Sequence, residues 1–308
     1  MKNCTRRSMW RWSWAAASSS RTCDTRWRHW TWRADAGWNK PAMRREILRD
    51  PSEQPILVAT LLMILAVFLL AAAPTLCLLP LSAILLVAVA FQMNQAHHRA
   101  IVQNALRVSS QTAPELAQLA AACGKSLNSG PFELYVLRAR QMNAYTFGFS
   151  DPRVVVVYSP LLQVMDASEL RFIIGHELGH VVLNHTWLTT LLGGVAGVPP
   201  SLGATIVFTF AFRWWSRACE YSSDRAGLVA CGSLEKATSA LVKLVAGELD
   251  SPAEIEQALR LLDTEDDSPV SALGESLATH PLIINRIEKL RKFAASKEYR
   301  ELMAAKPI

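Results

Sequence analysis

Two long apolar runs without charged residues interrupt an otherwise mixed pattern of apolar and polar positions. The first extends over 36 residues, from Ile56 to Phe91. A single helix of that length would measure about 54 Å, much more than the bilayer core of about 30 Å. Pro74 and Pro80 lie near the middle of the run, and proline breaks a helix because it lacks an amide donor. The pattern therefore predicts a transmembrane helical hairpin over 56–91, made of two short spans (56–73 and 76–91), rather than a buried hairpin of a soluble protein.

The second run has 26 residues, from Trp187 to Phe212, and the sequence leaves its role open. Glycines and prolines divide it into two pieces, each too short to cross a bilayer comfortably. The pattern is compatible with one tilted span, with a re-entrant hairpin and with a hydrophobic flap that dips into lipid. We treat 187–212 as a hydrophobic insertion in the folded part of the chain.

The remaining segments have the patterns of a globular α+β domain. A helical pattern runs over 113–123 and meets a helix stop signal at Gly124. Runs rich in β-branched and aromatic residues predict three strands, the last of them buried on both faces. These strands are 132–138, 142–149 and 154–158. After Ser233 the pattern predicts several amphipathic helices.

Composition separates the first 42 residues from this domain. Seven of the ten tryptophans lie within 1–42, and no helical or strand period runs through them. This extension is explained either by a translation start at Met43 or by an Arg- and Ser-rich targeting segment. A basic, Trp-rich interfacial anchor is a third interpretation. We therefore assign 43–55 as a basic juxtamembrane segment and 92–308 as the folded domain.

Charge and cysteine content narrow the classes of function. The formal net charge is +6, but residues 1–49 alone carry 12 Lys and Arg against three Asp and Glu. The folded body is therefore not basic, and we predict no nucleic-acid partner. The six cysteines are scattered without a CxxC pair, which is typical of reduced thiols. Arginines flank the apolar hairpin, so the positive-inside rule predicts that both flanks, and with them the folded domain, lie on the cytoplasmic side. We expect a bacterial inner-membrane protein, or an organelle-membrane protein if 1–42 is a transit peptide.

A metal-binding pattern lies in a clear helix signal. Residues 176–180 read His-Glu-Leu-Gly-His, and Asp166 with Glu169 predicts a capping box at the start of the helix. His176 and His180 are one turn apart, so both imidazoles can reach the same ion. Glu177 is rotated by about 100° from His176, which places its carboxylate beside a metal-bound water. This is the arrangement of a zinc hydrolase, in which the carboxylate takes the proton of the activated water.

A pair of acidic residues follows the second apolar run. Glu220 and Asp224 are also one turn apart and share one helix face. A catalytic zinc takes three protein ligands, so Glu220 can complete a site with two histidines. Asp224 can accept the outer N–H of a ligating histidine and orient its ring. Two acids at this spacing are usually a solvated face, but the neighbouring HExxH helix favours the functional interpretation.

With these motifs, the chain resembles the M48 metallopeptidases over roughly residues 140–290. The resemblance implies a zincin-like α+β core, mostly helical with a small sheet, and one zinc ion held by His176, His180 and Glu220. It also implies Glu177 as general base and Asp224 as a supporting residue. The matching segments, in the order of the family, are Met142–Tyr145, Val154–Val157, Gly175–His180, Glu220–Asp224 and Thr279–Ile287.

The resemblance extends to residues outside the metal site. Asn143 and Ala144 correspond to the segment that is implied to pair with extended substrate. His280 corresponds to a histidine thought to assist the transition state, and it is equally typical of a residue before a helix-initiating proline. Arg286 is a weaker candidate for that region. His185 is interpreted as a surface or capping histidine.

Two positions depart from the family pattern. Cys219 stands where an arginine often precedes the ligand glutamate, and Ser223 stands where an alanine often precedes the aspartate. Neither change touches a predicted ligand, so we expect them to affect only local packing.

The sequence thus predicts a membrane-anchored, zinc-dependent endopeptidase that acts on unfolded or membrane-associated polypeptides in protein quality control. Its predicted partners are a polypeptide substrate and the lipid bilayer, and no feature predicts an oligomeric state. Manganese or cobalt can replace zinc at such a site in vitro. The rival functions are a protease dedicated to one substrate and a zinc-stabilised membrane adaptor without turnover, which would not need Glu177. A transporter is disfavoured because 56–91 has no ionisable residue.

Overall fold

The chain divides into two compact units, residues 1–40 and 41–308. The computed structural model describes residues 45–72, 105–148, 150–186, 203–246 and 283–304, with isolated positions between 85 and 104. All of these residues belong to the second unit. The extension over 1–42 and the candidate residue His280 lie outside them.

The described residues of the second unit form helices on one face of a small sheet. In chain order, the elements are α1 (Arg45–Leu48), α2 (Glu53–Ala72), β1 (Ala105–Arg107), α3 (Pro114–Leu127), β2 (Phe132–Leu137), β3 (Ala144–Phe147), β4 (Arg153–Tyr158), α4 (Leu161–Val164), α5 (Ala167–Val182), α6 (Gly203–Cys231), α7 (Leu234–Ala246), α8 (Ile283–Ala294) and α9 (Lys297–Ala304). The prediction of a mostly helical α+β fold with a small sheet is confirmed.

The sheet has the strand order β1-β2-β4-β3. Strands β2 and β4 are parallel, whereas β1 and β3 pair antiparallel with their neighbours. In β4, Val155 and Val157 face the core shared with the helices, while Val154 and Val156 pack with aromatic residues on the other face. The predicted burial of this strand on both faces is confirmed. Strand β3 is at the edge of the sheet and leaves one side open for pairing in the described part of the chain.

The helix predicted over 113–123 is confirmed, but its predicted end at Gly124 is wrong. Helix α3 continues to Leu127 and ends at Asn128, whose left-handed φ of 49° and N–H bond to the Gly124 carbonyl cap it. A Cβ atom at Gly124 would lie 2.8 Å from Cε1 of Phe132. Gly124 therefore allows β2 to approach α3. A glycine that is needed for such a contact looks the same in the sequence as a glycine that ends a helix.

Helix α5 begins as predicted. The Asp166 side chain accepts hydrogen bonds from the backbone N–H groups of Ser168 and Glu169, and the Glu169 side chain accepts from the Asp166 N–H. This capping box satisfies amide groups that have no partner within the helix. It fixes the start of the helix, and hence the phase of the HExxH residues along it.

Helices α5 and α6 approach each other through a face of small residues. A Cβ atom at Gly175 would lie 2.4 Å from Cβ of Ala230, and one at Gly179 would lie 2.8 Å from Cβ of Ala226 and 3.0 Å from the Cα of Ser223. Any larger side chain at these glycines would force the helices apart. Ser223, one of the two positions that depart from the family pattern, is part of this contact and is fully buried.

The first apolar run forms a helix where the sequence predicts one, because α2 extends from Glu53 to Ala72. Its first turn, however, packs into the folded domain: Glu53 is 1% exposed and accepts a hydrogen bond from Ser222 of α6. Among the helices of the described residues, none combines the length and the apolarity that crossing a membrane requires. The predicted transmembrane hairpin is therefore not found in this part of the chain, and its second span, 76–91, lies almost entirely outside it.

The second apolar run is described only at its end. Residues 203–212 belong to α6, which continues without a break into the segment that carries Glu220. The rest of the predicted insertion, 187–202, lies outside the described residues.

Candidate metal centre

The close packing of α5 and α6 brings three potential ligands together. His176 and His180 project from α5, and Glu220 projects from α6. The Nε2 atoms of the two histidines are 3.3 Å apart. One carboxylate oxygen of Glu220 lies 3.5 Å from Nε2 of His176, and the other lies 3.5 Å from Nε2 of His180. The sequence-predicted ligands are therefore grouped, with one potential donor atom from each residue within 4.8 Å of the others. We call His176, His180 and Glu220 the metal triangle.

The size of this triangle fits a zinc ion. Donor atoms about 2.0–2.1 Å from a tetrahedrally coordinated zinc lie roughly 3.3 Å from one another. The observed separations of 3.3 and 3.5 Å match that value. Two imidazoles and one carboxylate are also a donor set that zinc prefers, and a fourth position remains for water. The residues present thus fit a catalytic zinc in chemistry and in approximate spacing.

Asp224 and Arg286 orient the His176 ring from its Nδ1 side. Oδ1 of Asp224 lies 3.0 Å from Nδ1 of His176, on the side of the ring opposite the metal triangle. Arg286 of α8 donates two hydrogen bonds to Asp224, at 2.6 and 2.8 Å, and its third nitrogen lies 3.3 Å from Glu220. Burial opposes a charged Asp224, but the Arg286 guanidinium beside it holds the pKa of Asp224 below its usual value. The weaker sequence candidate, Arg286, is therefore placed at the centre of the site as an orienting cation.

The metal triangle lies in a strongly negative environment. Burial disfavours a charged His176, but hydrogen bonds to Asp224 and Glu220 raise its pKa to about 10. The same carboxylates that favour an imidazolium ion also favour a metal cation in its place. In the metal-free protein, a proton on His176 is therefore the competitor of the metal.

Glu177, the predicted general base, has a partner that sequence analysis missed. Glu177 follows the predicted ligand His176 on α5 and is 6% exposed, and its carboxylate accepts a 2.7 Å hydrogen bond from Oγ1 of Thr146. Thr146 lies in β3, the edge strand. Its neighbours Tyr145 and Phe147 pack on the opposite face of the sheet. Because side chains alternate along a strand, Thr146 points towards α5. That alternation is visible in the sequence, but the pairing of the strand with α5 is not.

His180 also has a partner behind its ring. Nδ1 of His180 lies 3.1 Å from Nδ1 of His185, and Nε2 of His185 lies 3.2 Å from Oε1 of Glu53. The interpretation of His185 as a surface histidine is wrong, because the residue is 1% exposed. Asn184, with a φ of 60°, turns the chain after α5 and returns the His185 side chain to the site. Burial lowers the pKa of His185 to about 4, which favours the neutral ring.

The predicted substrate-binding residues Asn143 and Ala144 lie where the edge strand β3 begins. Asn143 is exposed and Ala144 half-buried at the start of β3. Cys219 is 1% exposed and faces Glu53 and His185 instead of the predicted ligands. Burial raises the pKa of the Cys219 thiol, which disfavours the thiolate that metal binding needs.

A helix that carries HExxH, a glutamate from a second helix and an edge strand beside the glutamate base define a metallopeptidase-type domain. A sequence profile described as Peptidase family M48 matches residues 108–294. The chain therefore belongs to peptidase family M48.

The curated relatives agree with this family. The plastoglobule-localized metallopeptidase 48 of Arabidopsis thaliana is 30% identical over 212 residues, which cover 64% of this chain and 61% of the relative. A protease HtpX homolog from Pseudarthrobacter chlorophenolicus is 28% identical over 219 residues, with 62% and 76% covered. One from Aquifex aeolicus is 24% identical over 226 residues, with 62% and 75% covered. The match thus spans about three-fifths of the length of the Arabidopsis protein.

We expect zinc uptake by the metal-free protein at pH 7 to release about one proton, because zinc ligands must be deprotonated. His176, with a pKa raised to about 10, is protonated at that pH before the metal binds. The apparent zinc affinity should therefore rise with pH between 6 and 8. Calorimetric titration in two buffers of different ionisation enthalpy measures the proton count.

The matched control for this titration is Glu177→Gln, which changes a carboxylate outside the metal triangle and should leave the proton count unchanged. Equal heats in the two buffers would contradict the prediction.

Proposed function

We propose that the chain is a zinc-dependent endopeptidase. The observation that carries this proposal is the convergence of His176, His180 and Glu220 on one cluster of potential zinc ligands. The helix that supplies the two histidines also carries the buried Glu177. Membership of peptidase family M48 supports the same reaction. An adaptor that used zinc only for stability would not require the Glu177 carboxylate to be buried and held by a hydrogen bond from Thr146.

The residues of the site have different roles in the proposed peptide hydrolysis. When bound, zinc supplies Lewis acidity, which makes a water molecule acidic near neutral pH and polarises a carbonyl group. Thr146 holds Oε2 of Glu177, which leaves Oε1 to accept the proton of the water. The same carboxylic acid then donates that proton to the departing amine. Asp224 and Arg286 keep the His176 ring in one orientation during the reaction.

We expect Glu177→Gln to lower kcat for casein or peptide cleavage by about a hundredfold to ten-thousandfold, the usual range for loss of a general base. The amide cannot accept the proton of water, but it is nearly the same size as the carboxylate. The measurement is cleavage by zinc-loaded protein purified in detergent. Zinc content, measured in parallel, should equal that of the wild type.

Cleavage by Glu177→Gln at the wild-type rate would exclude the mechanism. A wild-type protein that binds zinc but cleaves nothing would instead support the adaptor function.

The proposed substrate is an extended polypeptide that pairs with β3. The Asn143 carbonyl accepts a hydrogen bond from the N–H of Tyr158 in β4, at 2.9 Å. Backbone groups of an antiparallel strand alternate in direction, so those of Ala144 and Thr146 point to the open edge. A peptide added at this edge would lie across α5 next to Glu177, because Thr146 bonds that carboxylate.

We expect Ala144→Pro to raise KM for an unfolded substrate by about three- to tenfold, since one lost hydrogen bond costs roughly 0.5–1.5 kcal/mol. Proline removes the outward N–H and is tolerated at a sheet edge. Ala144→Val, which keeps the N–H, should retain the wild-type KM. Steady-state kinetics with an unchanged KM for the proline variant would argue against strand pairing.

We further propose that the protease works at a membrane, on unfolded or membrane-associated polypeptides in protein quality control. The large apolar side chains of α2 support this placement, because several are about half exposed and form one stripe. They are Val58 at 53%, Leu62 at 61%, Leu65 at 51% and Leu69 at 62%. Arginines on both sides of 56–91 support a cytoplasmic catalytic domain. A dedicated processing protease is the alternative, which a broad cleavage pattern on unfolded proteins would disfavour.

We expect the chain, expressed in bacteria, to remain in the membrane fraction after carbonate extraction. A C-terminal tag should be digested by added protease only after the inner membrane has been permeabilised. Recovery of the chain in the carbonate supernatant would contradict the membrane placement, and digestion of the tag in intact spheroplasts would contradict the sidedness.

A further inference from the structure

The first turn of the apolar helix α2 reaches the back of the metal centre. Glu53 opens this helix, and its buried carboxylate has three partners from three parts of the chain. Arg49 forms an ion pair with it, Ser222 of α6 donates a hydrogen bond to it, and His185 lies 3.2 Å away. His185 in turn contacts the predicted ligand His180. A continuous polar chain therefore joins α2 to the metal triangle.

The geometry of the hydrogen-bonded series Glu53–His185–His180 sets the position of each proton. Nε2 of His180 faces the metal triangle, so a metal-bound His180 carries its proton on Nδ1. That N–H points at Nδ1 of His185, 3.1 Å away, which must then be the acceptor. A neutral His185 that accepts at Nδ1 carries its proton on Nε2, and this second N–H points at Oε1 of Glu53. Each group thus donates to the next, and the chain ends on a carboxylate.

We propose that Glu53, acting through His185, is a positioning residue for the zinc ligand His180. This inference rests on the proposed zinc-dependent function. A carboxylate at the end of this series of hydrogen bonds fixes the tautomer and ring angle of His180. It also makes Nε2 of His180 a stronger metal ligand. The His180 side of the site would then match the His176 side, where Asp224 accepts directly.

Other contacts hold Glu53 in place independently of His185. The Asp50 carboxylate pairs with Arg225 of α6 and Lys289 of α8, at 2.9 and 3.2 Å. Arg49 also donates to the Leu183 carbonyl at the end of α5. The segment before α2 is therefore fastened to three helices of the metal site. Displacement of α2 would withdraw Glu53 from His185, which links the position of the apolar helix to the metal centre.

The same atoms also admit a different role, a second metal site formed by Glu53, His185 and Cys219. We favour the positioning role because both Glu53 oxygens already accept hydrogen bonds, from Arg49 and Ser222. Nδ1 of His185 is also directed at His180. The metal content of the protein distinguishes the two roles.

The test compares variants of the full chain in detergent. Zinc affinity is measured by competition with a chromogenic chelator, metal content by mass spectrometry, and ligand geometry by the visible spectrum of the cobalt-substituted protein. Glu53→Gln and His185→Leu should each weaken zinc binding by about 10- to 100-fold and alter the cobalt spectrum. His185→Gln should largely restore both, because an amide can accept from His180 and donate to Glu53.

Two control variants separate positioning from folding. Glu46→Gln removes an exposed carboxylate of α1 and should change nothing. Asp50→Asn weakens the ion pairs with Arg225 and Lys289 but keeps the direct contacts of Arg49 and Ser222 with Glu53. It should therefore lower Tm, while the cobalt spectrum of the folded protein stays that of the wild type.

Three outcomes would overturn the inference while leaving the proposed function intact. They are wild-type zinc affinity and cobalt spectrum in Glu53→Gln, equal effects of His185→Gln and His185→Leu, and two zinc ions per wild-type chain that fall to one in Glu53→Gln. Failure of the wild type itself to bind zinc would instead reject the proposed function.

Discussion

The distance between helices α5 and α6 is the constraint on which the rest of the structure depends. Gly175 and Gly179 leave no room for a side chain against α6, and Ser223 and Ala226 fill the facing positions. Only at this separation does Glu220 reach the two histidines of α5. Helix packing distance is usually set by the residues in contact, and here it also sets the size of the metal triangle. Small residues at this contact thus have a chemical role as well as a packing role.

Charge balance explains why the buried polar groups of the domain are stable together. Ionised groups inside a protein are costly unless they are paired. Arg286 pairs with Asp224 and Glu220, and Arg49 pairs with Glu53. Around the triangle, three carboxylates face the guanidinium of Arg286 and, without metal, the proton on His176. They belong to Glu177, Glu220 and Asp224, and a divalent cation that replaces this proton would balance their charge. The site is therefore complete, in electrostatic terms, only with its metal.

Interactions between residues close in the sequence were predictable, whereas interactions between distant residues were not. The capping box, the HExxH phase and the buried strand β4 depend on neighbours within a few residues, and all were predictable. The contacts that orient the reactive groups were not: Thr146 and Glu177 are 31 residues apart, and Glu53 and His185 are 132 apart. His185 was misread because a single turn at Asn184 reversed its direction. Gly124 was misread because its partner, Phe132, belongs to another element.

The shortness of the edge strand has a consequence for turnover. Strand β3 has four residues, and only Ala144 and Thr146 present their backbone outwards. So brief a ladder cannot retain a long chain tightly, and it offers little template for another copy of the domain to join edge to edge. With the strand pairing proposed above, each fragment would keep, after cleavage, only part of an already small set of backbone hydrogen bonds. Release of the cleaved pieces would then be rapid, and the strand would be ready for the next segment of the same chain.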